Sequence, residues 1–315
     1  MSTRRSFLNQ SLAVAGAAVV SPAMKLMASP QADIQFSLAE WSLHRTIRAG
    51  KLDHLDFPAK SKNDYGISAV EYVNGLFGGT KMTFKEAAKN AAYLNELLKR
   101  SKDAGVTNHL LMIDEEGPLA LPQDKKRLAA VDNHKKWFEA AQLLGCKTVR
   151  VNLHGKGSPE DKKVASIDSL RRLGEMGKGM DLNVVVENHG SESSKGFWVA
   201  DVMKQVNLPN VGTLPDFGNF CISHPWGTTQ GKCKNAYDRY KGVEELLPFA
   251  KGAVSAKSYD FDSNGEQPLI DYGRLLRIVK ASGFKGYIGI EYEGFTQPEE
   301  DGIRRTKALL EKHLS

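Results

Sequence analysis

The sequence predicts an α/β fold, a single (β/α)8 TIM barrel that begins at residue 33. Short apolar stretches alternate with longer amphipathic ones, and eight such strand and helix units fit into about 280 residues. No linker or low-complexity segment interrupts them. A doubly wound open sheet is the alternative fold. That fold needs a nucleotide-binding loop, and no Gly-x-Gly-x-x-Gly pattern follows the first apolar stretch.

The predicted strands are rich in Val and Ile, and several lack the alternation of a half-exposed strand. Such runs are typical of parallel strands that are covered on both faces. In chain order the predicted strands are 34–38, 67–73, 108–113, 147–152, 182–187, 211–216, 252–257 and 286–291.

The segments between the strands carry apolar residues at helical spacing of three and four. Glycines at 105, 145 and 283 come just after such segments, where a left-handed helix cap is easiest for glycine. The clearest predicted helices are 83–103, 124–144, 160–179, 236–250, 272–283 and 299–313.

Composition and charge indicate a globular domain without affinity for nucleic acid. Of the 315 residues, 41% are hydrophobic and 25% charged, which is enough apolar material for one large core. The formal charge is +6, but three of the basic residues lie in an N-terminal segment that has no acid. The rest has 40 basic and 37 acidic residues, with no cationic block of the kind that neutralises phosphates.

The N-terminal segment, residues 1–32, is similar to a twin-arginine export signal. Arg4 and Arg5 are followed by Ser-Phe-Leu and by an apolar run of ten residues, which is too short to span a bilayer. The resemblance implies the Tat translocase as a partner and a periplasmic or exported product, whose barrel domain is 33–315. The alternative interpretation is a basic tail beside a buried helix.

The chain has three cysteines, an odd number for a chain that needs no covalent staples. We expect Cys146, Cys221 and Cys233 to be buried thiols. Cys221 and Cys233 could pair as a disulfide in an oxidising compartment, and the sequence does not decide whether they do.

The active site of a TIM barrel lies at the C-terminal ends of its strands, so polar residues there carry functional weight. Acids close several of the predicted strands, and carboxylates from neighbouring strands repel one another unless a cation or a shared proton compensates. A divalent metal is the simplest compensation, and salt bridges to Arg150 or Lys257 are the alternative. The polar residues at these ends are Glu71, Asn152, His154, Glu187, His189, Asp216, Asn219, Lys257, Glu291 and Glu293.

Four strand-end motifs resemble the sugar phosphate isomerase/epimerase family, which has a xylose isomerase-like TIM barrel. They are VVVENHG at 184–190, TLPDFGNF at 213–220, VSAKSYDFD at 254–262 and YIGIEYEG at 287–294. The resemblance implies that Glu187, Asp216 and Glu291 hold a divalent metal. The family's fourth ligand is a histidine, but this chain has Ser255 in its place, and His189 is the nearest replacement, followed by His154 and Asn219. Oxygen ligands favour Mg or Mn, and a histidine ligand favours Zn, Co or Mn.

The resemblance implies an isomerase or epimerase that moves a proton beside a sugar carbonyl through an enediolate. Glu187 and Glu291 would exchange the proton, with Lys257 as an electrostatic helper. We expect the following residues to bind the carbohydrate substrate: Glu71, Arg150, Asn152, His154, Asn219, His224 and Trp226.

Two other functions remain as alternatives, and a third is disfavoured. The same carbanion supports elimination from a 3-keto-sugar or keto-glycoside, and an exported protein meets neutral sugars more often than sugar phosphates. A non-catalytic carbohydrate-binding barrel would explain the loss of the histidine ligand. Endonucleases of the same superfamily need a zinc cluster with many histidines, which this chain lacks at its strand ends. The sugar, the metal and the formation of a homo-oligomer stay open.

Overall fold

The computed structural model describes residues 34–231 and 233–314, and the predicted export signal lies outside them. All eight predicted strands are present, with bounds within two residues of those expected. The strands are β1 (Ile34–Ala39), β2 (Ala69–Val73), β3 (Thr107–Met112), β4 (Thr148–Val151), β5 (Asn183–Glu187), β6 (Val211–Leu214), β7 (Ala253–Ser258) and β8 (Gly286–Tyr292).

The strands form one parallel sheet in the order β6-β5-β4-β3-β2-β1-β8-β7. The first strand, β1, pairs with both β2 and β8, and the sheet curls into a nearly closed barrel whose edge strands are β6 and β7. At the seam between β6 and β7, two isolated bridges are present among the described residues: Thr213 of β6 pairs with Ala250, which precedes β7, and Asp216, which follows β6, pairs with Ser255 of β7. The second bridge brings the chain that follows β6 beside β7 at the C-terminal mouth of the barrel.

Helices connect the strands and cover the outside of the barrel, as the pattern predicts. They are α1 (His44–Arg48), α2 (Phe57–Tyr65), α3 (Phe84–Ala87), α4 (Ala91–Asp103), α5 (Asp124–Leu144), α6 (Pro159–Lys178), α7 (Gly196–Val206), α8 (Arg239–Leu246), α9 (Tyr272–Ala281) and α10 (Glu299–Leu314). In the described part of the chain, no helix is both long and apolar enough to cross a membrane.

Two predicted helices are shorter in the structure, and local capping explains both. The segment 83–103 divides into α3 and α4, because the Asn90 side chain accepts a hydrogen bond from the Tyr93 amide and so starts a new helix. The segment 236–250 holds α8, which starts only after Asp238, whose carboxylate caps it. A 3-10 turn with Pro248 near its start, Leu247–Phe249, follows α8.

The interior of the barrel is filled by strand side chains, and one of them is an acid that we placed at a strand end. Glu71 is the third residue of β2 and is fully buried. It lies across from Gly289 of β8, where an added Cβ would come within 2.6 Å of Glu71 Oε1. The glycine therefore makes room for a carboxyl group inside the barrel, below the mouth.

Candidate active site

Three buried carboxylates meet at the mouth of the barrel. Glu187 is the last residue of β5, Asp216 follows β6, and Glu291 lies near the end of β8. One oxygen from each lies within 4.8 Å of the others. Within the described residues, these three acids are the group whose spacing suits a metal ion.

Backbone and side-chain donors fix the orientation of Asp216. The amides of Gly218 and Asn219 donate to Asp216 Oδ1 at 2.8 and 2.7 Å. The amide of Asp216 itself donates to Asn188 Oδ1 at 2.8 Å, which ties the end of β6 to the end of β5. Asn219 also reaches the second acid, because its Nδ2 donates to Glu187 Oε1 at 2.9 Å.

The Ser255 hydroxyl lies between two of the acids. Its oxygen is 2.7 Å from Asp216 Oδ2 and 2.8 Å from Glu291 Oε2. A hydroxyl has one hydrogen and donates to one acceptor at a time. One of the two carboxylate oxygens therefore lacks this donor at any moment, and two ionised oxygens so close favour a shared proton or a cation.

Two buried cations, Arg150 and Lys257, contact the acids. Arg150 Nε is 2.9 Å from Glu187 Oε2 without good hydrogen-bond alignment, and Arg150 Nη1 donates to Asp114 Oδ1 at 2.6 Å. Lys257 Nζ lies 3.1 Å from Glu291 Oε1 and 3.2 Å from Glu293 Oε1. The acids thus share a common centre and also have salt-bridge partners, so both interpretations of the sequence pattern describe part of the site.

Burial perturbs the protonation of the group. Burial raises the pKa of Asp216 to about 6, against the opposing effect of Lys257. Burial likewise holds the pKa of Glu187 well above its ordinary value, although Arg150 opposes this. Burial alone would lower the pKa of Lys257, but Glu291 and Glu293 raise it well above its usual range. Lys257 is therefore a permanent cation, whereas Glu187 and Asp216 are able to hold a proton.

A hydrogen-bonded chain of polar side chains extends from the acids along β4 and β3. Asn152 Nδ2 donates to Asp114 Oδ1 at 2.7 Å, and His189 Nδ1 lies 3.1 Å from Asn152 Oδ1. His189 is therefore outside the group of three acids. Burial, together with Arg150, lowers the pKa of His189 well below its ordinary value, so the ring is neutral. Our sequence interpretation omitted Asp114, although it comes directly after the apolar run of β3.

Most of the other predicted substrate residues line one cavity above the acids, with a volume of about 450 Å³. His154, His189 and Trp226 form an aromatic cluster, with ring centroids 4.9 to 5.9 Å apart. Of these three, His189 and Trp226 line the cavity, together with Arg150, Asn219 and His224, and Trp226 is 44% exposed. Glu71, Asn152 and His154 are not part of this lining.

Glu71 has one hydrogen-bond donor, Ser37 Oγ at 2.5 Å from its Oε1, and its Oε2 has no partner among the described residues. Burial raises the pKa of Glu71 from an ordinary value of 4.5 to about 7. Between pH 4.5 and about 7, the Glu71 carboxyl group thus keeps its proton in the folded chain and has lost it in the unfolded chain. The stability that the protonated group contributes is fully present below pH 4.5 and is lost as the pH rises through about 7.

We expect Glu71→Gln to flatten the pH dependence of stability. In the metal-free wild type, the free energy of unfolding should fall between pH 5 and pH 8 by up to about 3 kcal/mol more than in the variant. Urea unfolding at both pH values, in the presence of a chelator, measures this difference. Identical pH profiles would show that Glu71 does not titrate in this range.

A disulfide closes the loop between β6 and α8, which forms one wall of the cavity. Cys221 and Cys233 are bonded, which corrects the expectation of free thiols, and Cys146 is a buried free thiol as expected. Spacing alone did not decide this pairing. Within the closed loop, four residues line the cavity: His224, Trp226, Thr228 and Gln230.

We expect loss of this disulfide to weaken ligand binding in the cavity more than metal binding below it. The Cys221→Ser/Cys233→Ser variant should lose roughly 2 to 3 kcal/mol of stability, the magnitude expected for a short closed loop. Its metal affinity should stay within about twofold, because all three acids lie outside the segment that the disulfide closes. Calorimetry of metal and sugar binding tests both statements, and equal loss of both affinities would contradict them.

Fold and site together define a (β/α)8-barrel protein with a buried acidic centre at its C-terminal mouth. The chain belongs to the xylose isomerase-like TIM barrel family, whose model matches residues 62–313. The xylose isomerase-like TIM barrel that the strand-end motifs imply is thus confirmed.

Solved structures with the same fold include sugar epimerases. The chain is similar to 3-keto-D-glucoside 4-epimerase YcjR from E. coli, with a TM-score of 0.61 and 15% identity, covering 90% of this chain and 100% of that one. It is also similar to an IolI protein with a bound zinc atom, with a TM-score of 0.63 and 16% identity over 89% and 98% of the two chains. At this identity the likeness concerns the fold.

A short segment resembles a curated enzyme subunit. It is 44% identical over 41 residues to the C-glycoside deglycosidase alpha subunit of Arthrobacter globiformis, which is 13% of this chain. The match spans only 12% of that relative's length.

Proposed function

We propose that this protein is a divalent-metal-dependent isomerase or epimerase of a neutral sugar or sugar derivative. The observation that carries the proposal is the convergence of Glu187, Asp216 and Glu291, buried together within 4.8 Å at the barrel mouth. The sugar epimerases among the structural neighbours support the same class of reaction.

The residues present fit a metal ion. Glu187, Asp216 and Glu291 would hold it, with the Ser255 hydroxyl as a weaker oxygen ligand beside them. No imidazole belongs to this group in the described residues, so the donor set is oxygen only and favours Mn or Mg over Zn. When bound, the metal supplies electrophilic stabilisation of the negative charge that develops on the substrate's carbonyl oxygen.

Glu187 and Glu291 are the candidates for proton transfer, because they approach the centre from different strands. A carboxylate whose pKa is raised toward neutrality is an effective base at physiological pH, and burial raises the pKa of Glu187 in this direction. Proton removal at one face of the sugar carbon and return at the other gives an epimer. Lys257 adds a fixed positive charge beside Glu291 and would stabilise an enediolate.

The polar side chains beyond the acids suit the hydroxyl groups of a sugar. Asn152 and His189 form one hydrogen-bonded unit, and Trp226 offers an aromatic ring to the apolar face of a pyranose. Two of the arginines that line the cavity already contact carboxylates, Arg150 with Glu187 and Arg45 with Glu299. The pairing of these two cations supports a neutral sugar over a sugar phosphate, and the third arginine of the lining, Arg48, lies over the Trp41 ring.

Elimination from a 3-keto-glycoside is the second candidate. It begins with the same proton abstraction beside a carbonyl, after which the electron pair expels the substituent on the next carbon. The deglycosidase relative and the 3-keto-D-glucoside epimerase among the neighbours support this alternative by their names.

We also propose that the protein is exported through the Tat translocase. The N-terminal pattern of paired arginines motivates this proposal. The Cys221–Cys233 disulfide supports it, because such bonds persist in oxidising compartments and are rare in the cytosol.

Metal analysis of the purified protein and turnover assays test the proposed function. Neutral ketoses and 3-keto-glycosides would be incubated with protein that is metal-free or supplied with Mn²⁺, Mg²⁺, Co²⁺ or Zn²⁺. Metal-dependent conversion to an epimer or isomer supports the first candidate, and release of an aglycone supports the second. Sugar binding without any conversion would leave a carbohydrate-binding barrel and refute both.

A further inference from the structure

The cavity extends beyond the acids to a wall that none of the proposed chemistry uses. We call this wall the outer subsite and define it by four residues from two neighbouring sectors of the barrel: Trp41, His44, Arg48 and Phe295. A cavity of about 450 Å³ is in the range for drug-sized ligands, which are larger than a single hexose. The volume therefore leaves room for a group attached to the sugar.

His44 is held in one orientation and one tautomer. Its Nδ1 lies 2.6 Å from the Trp41 carbonyl oxygen, and its ring stacks on the Trp41 indole at 4.5 Å with an interplanar angle of 11°. A carbonyl oxygen only accepts, so Nδ1 carries the hydrogen and Nε2 of the neutral ring is an acceptor. Nε2 has no hydrogen-bond partner within residues 34–231 and 233–314.

The ring is neutral at physiological pH. Burial lowers the pKa of His44, and this effect exceeds the opposing influence of the Trp41 carbonyl, Glu299 and Glu293. The side chain is 20% exposed and lines the cavity, and Nε2 is not among the buried atoms that lack a partner, so a ligand in the cavity is able to reach this acceptor.

Phe295 has a fixed backbone and a free side chain. Its amide donates to Asp260 Oδ2 at 3.1 Å, and its carbonyl accepts from Arg45 Nη1 at 3.4 Å. The ring is nevertheless 70% exposed, the largest exposed fraction among the described large hydrophobic side chains. An apolar ring on an anchored backbone at a cavity rim is suited to stacking against a planar ligand.

Arg48 adds a cation without a carboxylate partner in the described chain. Its guanidinium lies over the Trp41 ring, 4.8 Å from the ring centroid. Guanidinium planes stack on aromatic groups and stabilise negative charge near them.

We propose that the outer subsite binds a phenolic aryl group attached to the sugar, with His44 Nε2 accepting the hydrogen bond of the phenol. The inference rests on the proposed sugar site and names its substrate class, an aryl glycoside. A phenol is acidic, with a pKa near 10 as in tyrosine, so an acceptor beside a cation selects it over an alcohol. Phe295 supplies the apolar contact and His44 supplies the selectivity.

Calorimetric titration of the Mn²⁺-loaded full chain with three glucosides tests this subsite. The ligands are methyl, phenyl and 4-hydroxyphenyl β-D-glucoside. We expect the wild type to bind the 4-hydroxyphenyl compound roughly tenfold more tightly than the phenyl compound, and the methyl compound most weakly.

Two variants separate the roles of the residues. His44→Asn keeps a donor close to the Trp41 carbonyl but removes the distal acceptor, so it should abolish the preference for the phenol and leave methyl glucoside binding unchanged. Phe295→Ala, at an exposed position, should weaken both aryl glucosides several-fold and equally. A merely structural His44 would instead weaken all three ligands together.

Equal affinities of the wild type for phenyl and 4-hydroxyphenyl glucoside would overturn the proposal, and so would the absence of measurable binding of all three. The proposed function fails by a different result, the lack of metal-dependent turnover. Aryl selectivity without turnover would support the outer subsite and refute the catalytic role, so the two failures are distinguishable.

Discussion

Glu187→Gln is expected to lower sugar turnover by a factor of roughly 10² to 10⁴. Glutamine has the same shape and still accepts the hydrogen bond from Asn219 Nδ2, which is 2.9 Å long in the wild type. It neither takes up a proton nor offers a negative charge to a cation. The variant should therefore fold, bind sugar and fail in proton transfer. Steady-state kinetics with the metal-supplied protein, together with metal titration, measure the loss.

Glu115→Gln is the matched control for this substitution. Glu115 also lines the cavity, but it is exposed and lies outside the group of three acids. Its change alters the charge of the cavity by the same amount, and we expect turnover to remain within about threefold of the wild type. If both variants lose activity equally, the loss comes from the changed electrostatic potential of the cavity and does not depend on the position of the Glu187 carboxylate.

The acids of the centre were predictable because each one interrupts an apolar run at the mouth end of its strand. The runs that precede Glu187, Asp216 and Glu291 are covered on both faces, so a carboxylate that directly follows one must lie at the mouth. The same logic identified Lys257 on β7. Its contacts with Glu291 and Glu293 depend on the register of β7 with β8, in which Lys257 lies beside Glu291.

Contacts that depend on three-dimensional register were not predictable. Glu71 was placed at a strand end, but β2 continues to Val73, and its pairing with β3 shifts register between Val70 and Glu71. Asp114 obeys the strand-end rule, but its role emerges only from the pairing of Met112 with Arg150. The outer subsite depends on the contact of His44 with Trp41, and sequence spacing does not distinguish that contact from an exposed helix start.

Lys257→Met is expected to destabilise the metal-free protein by about 3 to 5 kcal/mol, the usual cost of removing one partner from a buried ion pair. Lys257 is 1% exposed and compensates two carboxylates, Glu291 and Glu293, at 3.1 and 3.2 Å. Without the ammonium group, the buried Glu291 and the partly exposed Glu293 repel each other. A divalent cation in the centre would restore part of the missing charge, so Mn²⁺ should stabilise the variant more than it stabilises the wild type. Thermal unfolding with and without Mn²⁺ at about 100 times its Kd measures both effects, since binding at that ratio adds about 2.7 kcal/mol.

Lys136→Met is the control, because Lys136 forms a comparable ion pair away from the centre. Its Nζ is 2.7 Å from Glu116 Oε2, and the Glu116 side chain is 1% exposed. This variant should also lose stability, but Mn²⁺ should stabilise it no more than it stabilises the wild type. If Mn²⁺ gave the wild type and both variants the same increment, the Lys257 ammonium and the metal would not compensate the same carboxylates. If Mn²⁺ stabilised only Lys257→Met beyond the wild-type increment, the Lys257 ammonium group and the bound metal would both compensate the negative charge of Glu291.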